Sequence, residues 1–122
     1  AHDALVASQT IGPLEQARVD NVWFALRVAP GRTGSNAFGI DIEDPRPGAL
    51  LTPGQVLLRF SMPEHPEVGE TQAEAVTFDG KRFSVAGSYL ARDGIWDIKV
   101  ILRRPNYDDV TTSFSLDIES YE

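Results

Sequence analysis

The run Met62-Pro63-Glu64-His65-Pro66-Glu67-Val68-Gly69-Glu70 crowds side chains with coordinating atoms into one short stretch. Met62 is the only methionine in the chain, and His65 is one of two histidines. A thioether is a soft donor suited to Cu(I), an imidazole takes Cu(I) or Cu(II), and the carboxylates of Glu64, Glu67 and Glu70 are harder donors for Cu(II). A plainer account competes with this one. Met62 then caps the core at a strand end, and His65 is a solvated residue of a proline-punctuated surface loop. The second candidate is the N-terminus. With Ala1 as a mature terminus, its amine, the next amide and the His2 imidazole chelate Cu(II), with Asp3 nearby. With Ala1 as an excision boundary, His2 has no such role. The candidate metal residues are thus Met62, His65, Glu64 and His2.

Other chemistries lack their parts. A Ser-His-Asp triad would need His65, lying between Pro63 and Pro66, as its base, and no Gly-x-Ser-x-Gly elbow accompanies it. The glycines fall at turns and none forms a phosphate-cradling loop after a strand. The carboxylates are numerous but scattered, so the expectation is that the chain is not an enzyme. The chain has no cysteine, which removes disulfides, thiolate nucleophiles and zinc-thiolate sites. With 18 acidic against 11 basic side chains, the net charge is −7, and such a surface repels nucleic acid and anionic membranes. No apolar run approaches the roughly twenty residues of a spanning helix, and any signal or anchor is expected outside this sequence.

The elements that must position these groups are strands. At 122 residues the chain fits one domain, and such a domain buries roughly two-thirds of its unfolded surface without metal or disulfide staples. Residues 1–18 read as a tail or linker, with Ala4-Leu5-Val6-Ala7 as a candidate short edge strand. Residues 19–122 form the domain. Val22, Phe24, Leu26 and Val28 alternate with Asn21, Trp23, Ala25 and Arg27 up to Pro30-Gly31, and Phe38, Ile40 and Ile42 repeat the pattern. Asp44 to Gly48 is a loop. Gln55 to Ser61 follows, with Val56, Leu58 and Phe60 inward. Next comes Glu74 to Phe78, with Val76 and Phe78 inward, and then Arg82 to Ala86. Residues 87–105 read as strand, tight turn at Arg92-Asp93-Gly94, and strand, the expected central pair, with Trp96 as core anchor. The last strand runs from Asp109 to about Glu119. Seven or eight short strands without a helical period predict an all-β, immunoglobulin-like antiparallel β-sandwich, with a barrel as alternative.

Three runs also carry a resemblance. They are Ala29-Pro30-Gly31-Arg32-x-Gly34-x-Asn36-x-Phe38, then Val56-x-Leu58-Arg59-Phe60 with Pro63-Glu64-His65-Pro66-x-x-Gly69, and finally Gly87-x-Tyr89-Leu90 leading to Gly94-x-Trp96-x-Ile98-x-Val100-x-x-Arg103-Arg104-Pro105. Together they resemble the YtkA-like domain found at the extracytoplasmic C-terminus of CopD/YcnJ-type copper resistance and transport proteins. The likeness spans roughly residues 20 to 119. It implies an extracytoplasmic β-sandwich (periplasmic or on the outer face of the cell membrane). It also implies attachment to a membrane-embedded copper transport protein, or to the protein's own transmembrane portion, and a part in copper handling. In the family the loop after the Val-x-Leu-x-Phe strand often carries methionine and histidine, and the matching positions are Met62 and His65. One methionine stands where a strong copper site would want several.

The leading expectation is a non-enzymatic accessory domain of a bacterial copper transport or resistance protein, binding copper weakly through the Met/His loop. The alternatives are a ligand-free structural or protein-interaction module using a sheet edge or Trp23, and a carbohydrate-binding module using Trp23, Trp96, Tyr89 and Tyr107 as a stacking platform.

Overall fold

The computed structural model describes residues 14–19, 22–43, 55–77, 81–104 and 108–119. Its strands are β1 (Leu14–Val19), β2 (Val22–Ala29), β3 (Gly34–Glu43), β4 (Gln55–Ser61), β5 (Thr71–Thr77), β6 (Arg82–Leu90), β7 (Gly94–Arg103) and β8 (Val110–Ile118). A single 3₁₀ turn, Pro66–Val68, is the helical element among the described residues. All strand pairings are antiparallel, in the order β1-β2-β3-β6-β5-β4-β7-β8.

This order folds into a sandwich because β5 belongs to both layers. Its residues Thr71 to Ala75 pair with β4, while Val76 and Thr77 pair with Ser84 and Phe83 of β6. One layer is β1-β2-β3-β6 and the other β5-β4-β7-β8. With β3, β4, β6, β7 and β8 lettered B, C, E, F and G, the layers carry the B-E and C-F-G neighbours of the immunoglobulin fold. The far edges also approach each other: β1 contacts β8, and the Thr33 N–H donates to the Glu119 carbonyl at 3.0 Å. The result is a sandwich nearly closed into a barrel.

Period-two alternation supplies the core. Val22, Phe24, Leu26 and Val28 of β2 and Phe38, Ile40 and Ile42 of β3 face Val56, Leu58 and Phe60 of β4 and Trp96, Ile98, Val100 and Leu102 of β7. Rings join the layers directly. Phe60 lies 5.0 Å from Phe38 and 4.8 Å from Tyr89, the latter pair parallel to within 1°. Leu57 and Ile101, register partners on the outer side of their layer, are also buried.

Four expectations are corrected. The strands of residues 87–105 are not a hairpin: β6 pairs with β3 and β5, and β7 lies between β4 and β8. Asp93-Gly94 is therefore a corner between layers. Gly94 does take the positive φ (128°), but a turn signature does not decide whether its flanking strands share a sheet. Val76 is 61% exposed, because Ala73 and Ala75 are the inward residues of β5. Gly31 to Ser35 reads in sequence as a turn, but β3 already begins at Gly34. Residues 14–18 fall in the segment read as a tail with a candidate short edge strand at Ala4 to Ala7; they themselves belong to an edge strand, β1, which pairs with β2 from Leu14↔Arg27 to Val19↔Val22. Ala4 to Ala7, Asp44 to Gly48, Phe78 and Tyr107 lie outside the described residues.

Candidate functional site

The stretch from Met62 to Gly69 is a compact turn closed by its own backbone. The His65 N–H donates to the Met62 carbonyl at 3.0 Å, Val68 N–H to His65 at 3.0 Å, and Gly69 N–H to Pro66 at 3.2 Å. Pro66 opens the 3₁₀ turn, where its missing N–H costs nothing. Gly69 ends it at φ 82°, a conformation that favours glycine.

Within this turn the candidate ligands diverge. Met62 is 2% exposed and belongs to the core. Its methyl carbon would stand 2.7 Å from a Cβ placed on Gly94, so the thioether fills the space that glycine leaves. The His65 side chain is 42% exposed, and its Nδ1 sits 3.3 Å from Glu67 Oε2. Glu67, not Glu64, is the carboxylate that meets the imidazole. Glu64 is exposed. His2 lies outside the described residues. Among the described residues no three His, Cys, Asp or Glu side chains gather as a metal cluster.

The Glu67 carboxyl titrates below its ordinary value. The largest cause is a hydrogen bond from its own backbone N–H; a smaller desolvation opposes it, and His65 and Arg92 add charge attraction. A carboxyl with a depressed folded-state pKa stabilises the fold above the ordinary carboxylate range, and that contribution is lost as pH falls through the folded pKa. Carbon-detected NMR titration is expected to place Glu67 below the ordinary glutamate value. His65→Ala should bring it part of the way back, because the backbone bond remains. An unmoved Glu67 would show that the pair is not formed in solution.

The residues that carry the family resemblance have structural work. Asn36, 2% exposed, accepts from the Gly31 N–H at 2.7 Å and donates to the carbonyls of Arg32 (2.7 Å) and Gly34 (3.1 Å). It thereby holds a corner containing two positive-φ glycines and the cis Ala29–Pro30 bond. Its register partner is Gly87. Beyond that pair β6 spends three steps, to Leu90, where β3 spends two, to Gly34, which is a bulge. The extra residue lets both Tyr89 and Leu90 pack on the core. A Cβ on Gly87 would lie 2.6 Å from the Tyr89 ring, so the ring occupies that space. Trp96 faces the core and donates its Nε1–H to the Arg92 carbonyl at 2.8 Å, closing the corner before β7.

Among the described residues, Trp23, Tyr89 and Trp96 do not form one platform. Trp96 is buried, Tyr89 is stacked inside against Phe60, and the Arg18 guanidinium carbon sits 5.6 Å from the Trp23 ring centroid. No helix among the described residues is long and apolar enough to cross a membrane.

The outer face of the β1-β2-β3-β6 layer holds a hollow of about 470 Å³, lined by Leu14, Ala25, Arg27, Ala29, Ala37 and Gly39 among others. Sequence reasoning missed it. Its lining comes from four strands whose register is needed to bring the small residues together.

No protein-family model matches the chain, and no curated protein matches it. Among solved structures, a computationally redesigned β-sandwich protein is similar, with 17% identity and a TM-score of 0.46. The match covers 80% of this chain and 93% of that one.

Proposed function

We propose that the chain is a non-enzymatic, extracytoplasmic accessory domain of a copper transport or resistance protein. Its metal contact is Cu(II) at the Met62–Gly69 turn, held weakly by His65 with Glu67. The reading rests on the resemblance to the YtkA-like domain. The observation that carries it to a site is the exposed His65 imidazole beside Glu67, 3.3 Å apart on a turn fixed by three backbone bonds. Nitrogen and carboxylate oxygen suit Cu(II), and the soft sulfur that would favour Cu(I) is kept in the core by Met62. Two side-chain donors make a weak, open site, which fits a domain that receives or passes on a metal and does not store it.

Calorimetric titration with Cu(II) tests this on three proteins. The wild type is expected to bind. Met62→Leu, which preserves core volume, is expected to bind equally, and His65→Ala to lose at least about tenfold, or ~1.4 kcal/mol. Equal Cu(II) binding by wild type and His65→Ala, or loss in Met62→Leu with the fold intact, would overturn the site.

A further inference from the structure

The hollow on the outer face of the β1-β2-β3-β6 layer has an unusual floor. Gly39 lies in the interior of β3, opposite Arg27 of β2 and Ser84 of β6. It is not among the positive-φ glycines, so its backbone does not require glycine. A Cβ there would meet nothing within 4 Å, so packing within the chain does not require it either. Glycine inside a strand costs about 0.5–1 kcal/mol relative to alanine, and such a position often marks close approach by a ligand or another backbone. Ala25, Ala29 and Ala37 keep the walls low around it, and Leu14 gives an apolar rim that is itself exposed.

The charge at this hollow is specific. Arg27 lines it, is exposed, and enters no ion pair among the described residues. The other guanidinium in the lining, Arg82, already holds Asp41 through Nε at 2.8 Å. Arg27 thus offers a positive group beside an apolar floor on a chain of net charge −7. The volume, about 470 Å³, falls within the roughly 300–1,000 Å³ of small-molecule sites.

We propose that this hollow is a binding site for a small, flat, apolar carboxylate, its ring or chain lying on Gly39 and its carboxylate on Arg27. The site is separate from the Met62–Gly69 turn and does not depend on copper binding. Planar apolar groups gain most from a floor without side chains, and a guanidinium meets a carboxylate through paired N–H donors.

The test is an amide NMR titration of the whole chain with 2-naphthoate and, in parallel, the neutral 2-naphthalenemethanol. Saturable shifts are expected at the amides of Gly39, Ala37 and Ala25, with the acid binding about tenfold more tightly than the alcohol. Arg27→Gln should bring the two probes together. Gly39→Leu should abolish both while the melting temperature holds or rises, and Ala37→Leu serves as a second blocking variant. The proposal is overturned by an absence of saturable shifts at these amides, by equal affinity for acid and alcohol, or by binding that survives both leucine variants. Concentration-dependent shifts without probe, together with a dimer in sedimentation, would assign the hollow to a second copy and overturn it as well.

Discussion

Replacing Asn36 with alanine is expected to cost about 2–4 kcal/mol of stability, because a buried side chain with three hydrogen bonds leaves several backbone groups unpartnered at once. The Gly31 N–H and the Arg32 and Gly34 carbonyls each lose a bond to Asn36 at a half-buried corner. Arg32 and Thr33 are also the residues that bridge to Glu119 at the far edge of the other layer. The loss should therefore spread beyond the corner and loosen the seam between layers. Asn36→Asp separates the contributions. It keeps an acceptor for Gly31 but sets a carboxylate against two carbonyls, so it should be no better than alanine at neutral pH. Urea unfolding of the three proteins measures this. A loss below about 0.5 kcal/mol for Asn36→Ala would mean that the corner does not need its clamp.

Gly94→Ala is expected to cost about 2–4 kcal/mol, since two independent penalties meet at one atom. The backbone sits at φ 128°, where a side chain is strained by about 1–3 kcal/mol. The added Cβ would also lie 2.7 Å from the Met62 methyl carbon, which is enclosed in the core. Thioethers are flexible, but overpacking a filled core still costs about 1–3 kcal/mol. A double-mutant cycle with Met62→Ala divides the two. Removing the thioether relieves the collision and leaves the strain, so the double variant should cost less than the sum of the singles. Strict additivity would show that Gly94 is required by its backbone alone.

Much of the fold was legible because alternation is a local property. β2, β3, β4, β7 and β8 show in the spacing of Val, Ile, Leu and Phe, and their inward residues follow from the two-residue period. The errors have a common origin in pairing. Asp93-Gly94 announces a turn correctly, yet the partners of its flanking strands lie far away in sequence: β6 pairs with β3 in one layer, and β7 pairs with β4 in the other. In β5 the bulky Val76 reads as inward, but the register with β4 turns Ala73 and Ala75 to the core. An edge strand within the first eighteen residues is expected, but its position at Leu14 to Val19 has little local signal, because Leu14, Gln16 and Arg18 are exposed and the remaining side is only half-buried.

The candidate site divides in the same way. That Met62 and His65 share a turn was legible from their separation. That the sulfur points into the core was not, since it depends on Gly94, thirty-two positions on, leaving room for it. Glu64 and Glu67 flank His65 almost symmetrically in sequence, and only the 3₁₀ turn decides that Glu67 meets the imidazole. The hollow around Gly39 had no local signal, for scattered alanines and one glycine in strands are ordinary until the register aligns them.

The measurement that bears most directly on the proposed function is paramagnetic mapping: amide spectra of the chain with sub-stoichiometric Cu(II) at neutral pH. Line broadening is predicted to centre on His65 and Glu67 and to fade along the turn, leaving the opposite end of β4 and β7, at Gln55 and Arg103, sharp. Broadening centred elsewhere, or none, would contradict a copper contact at this turn.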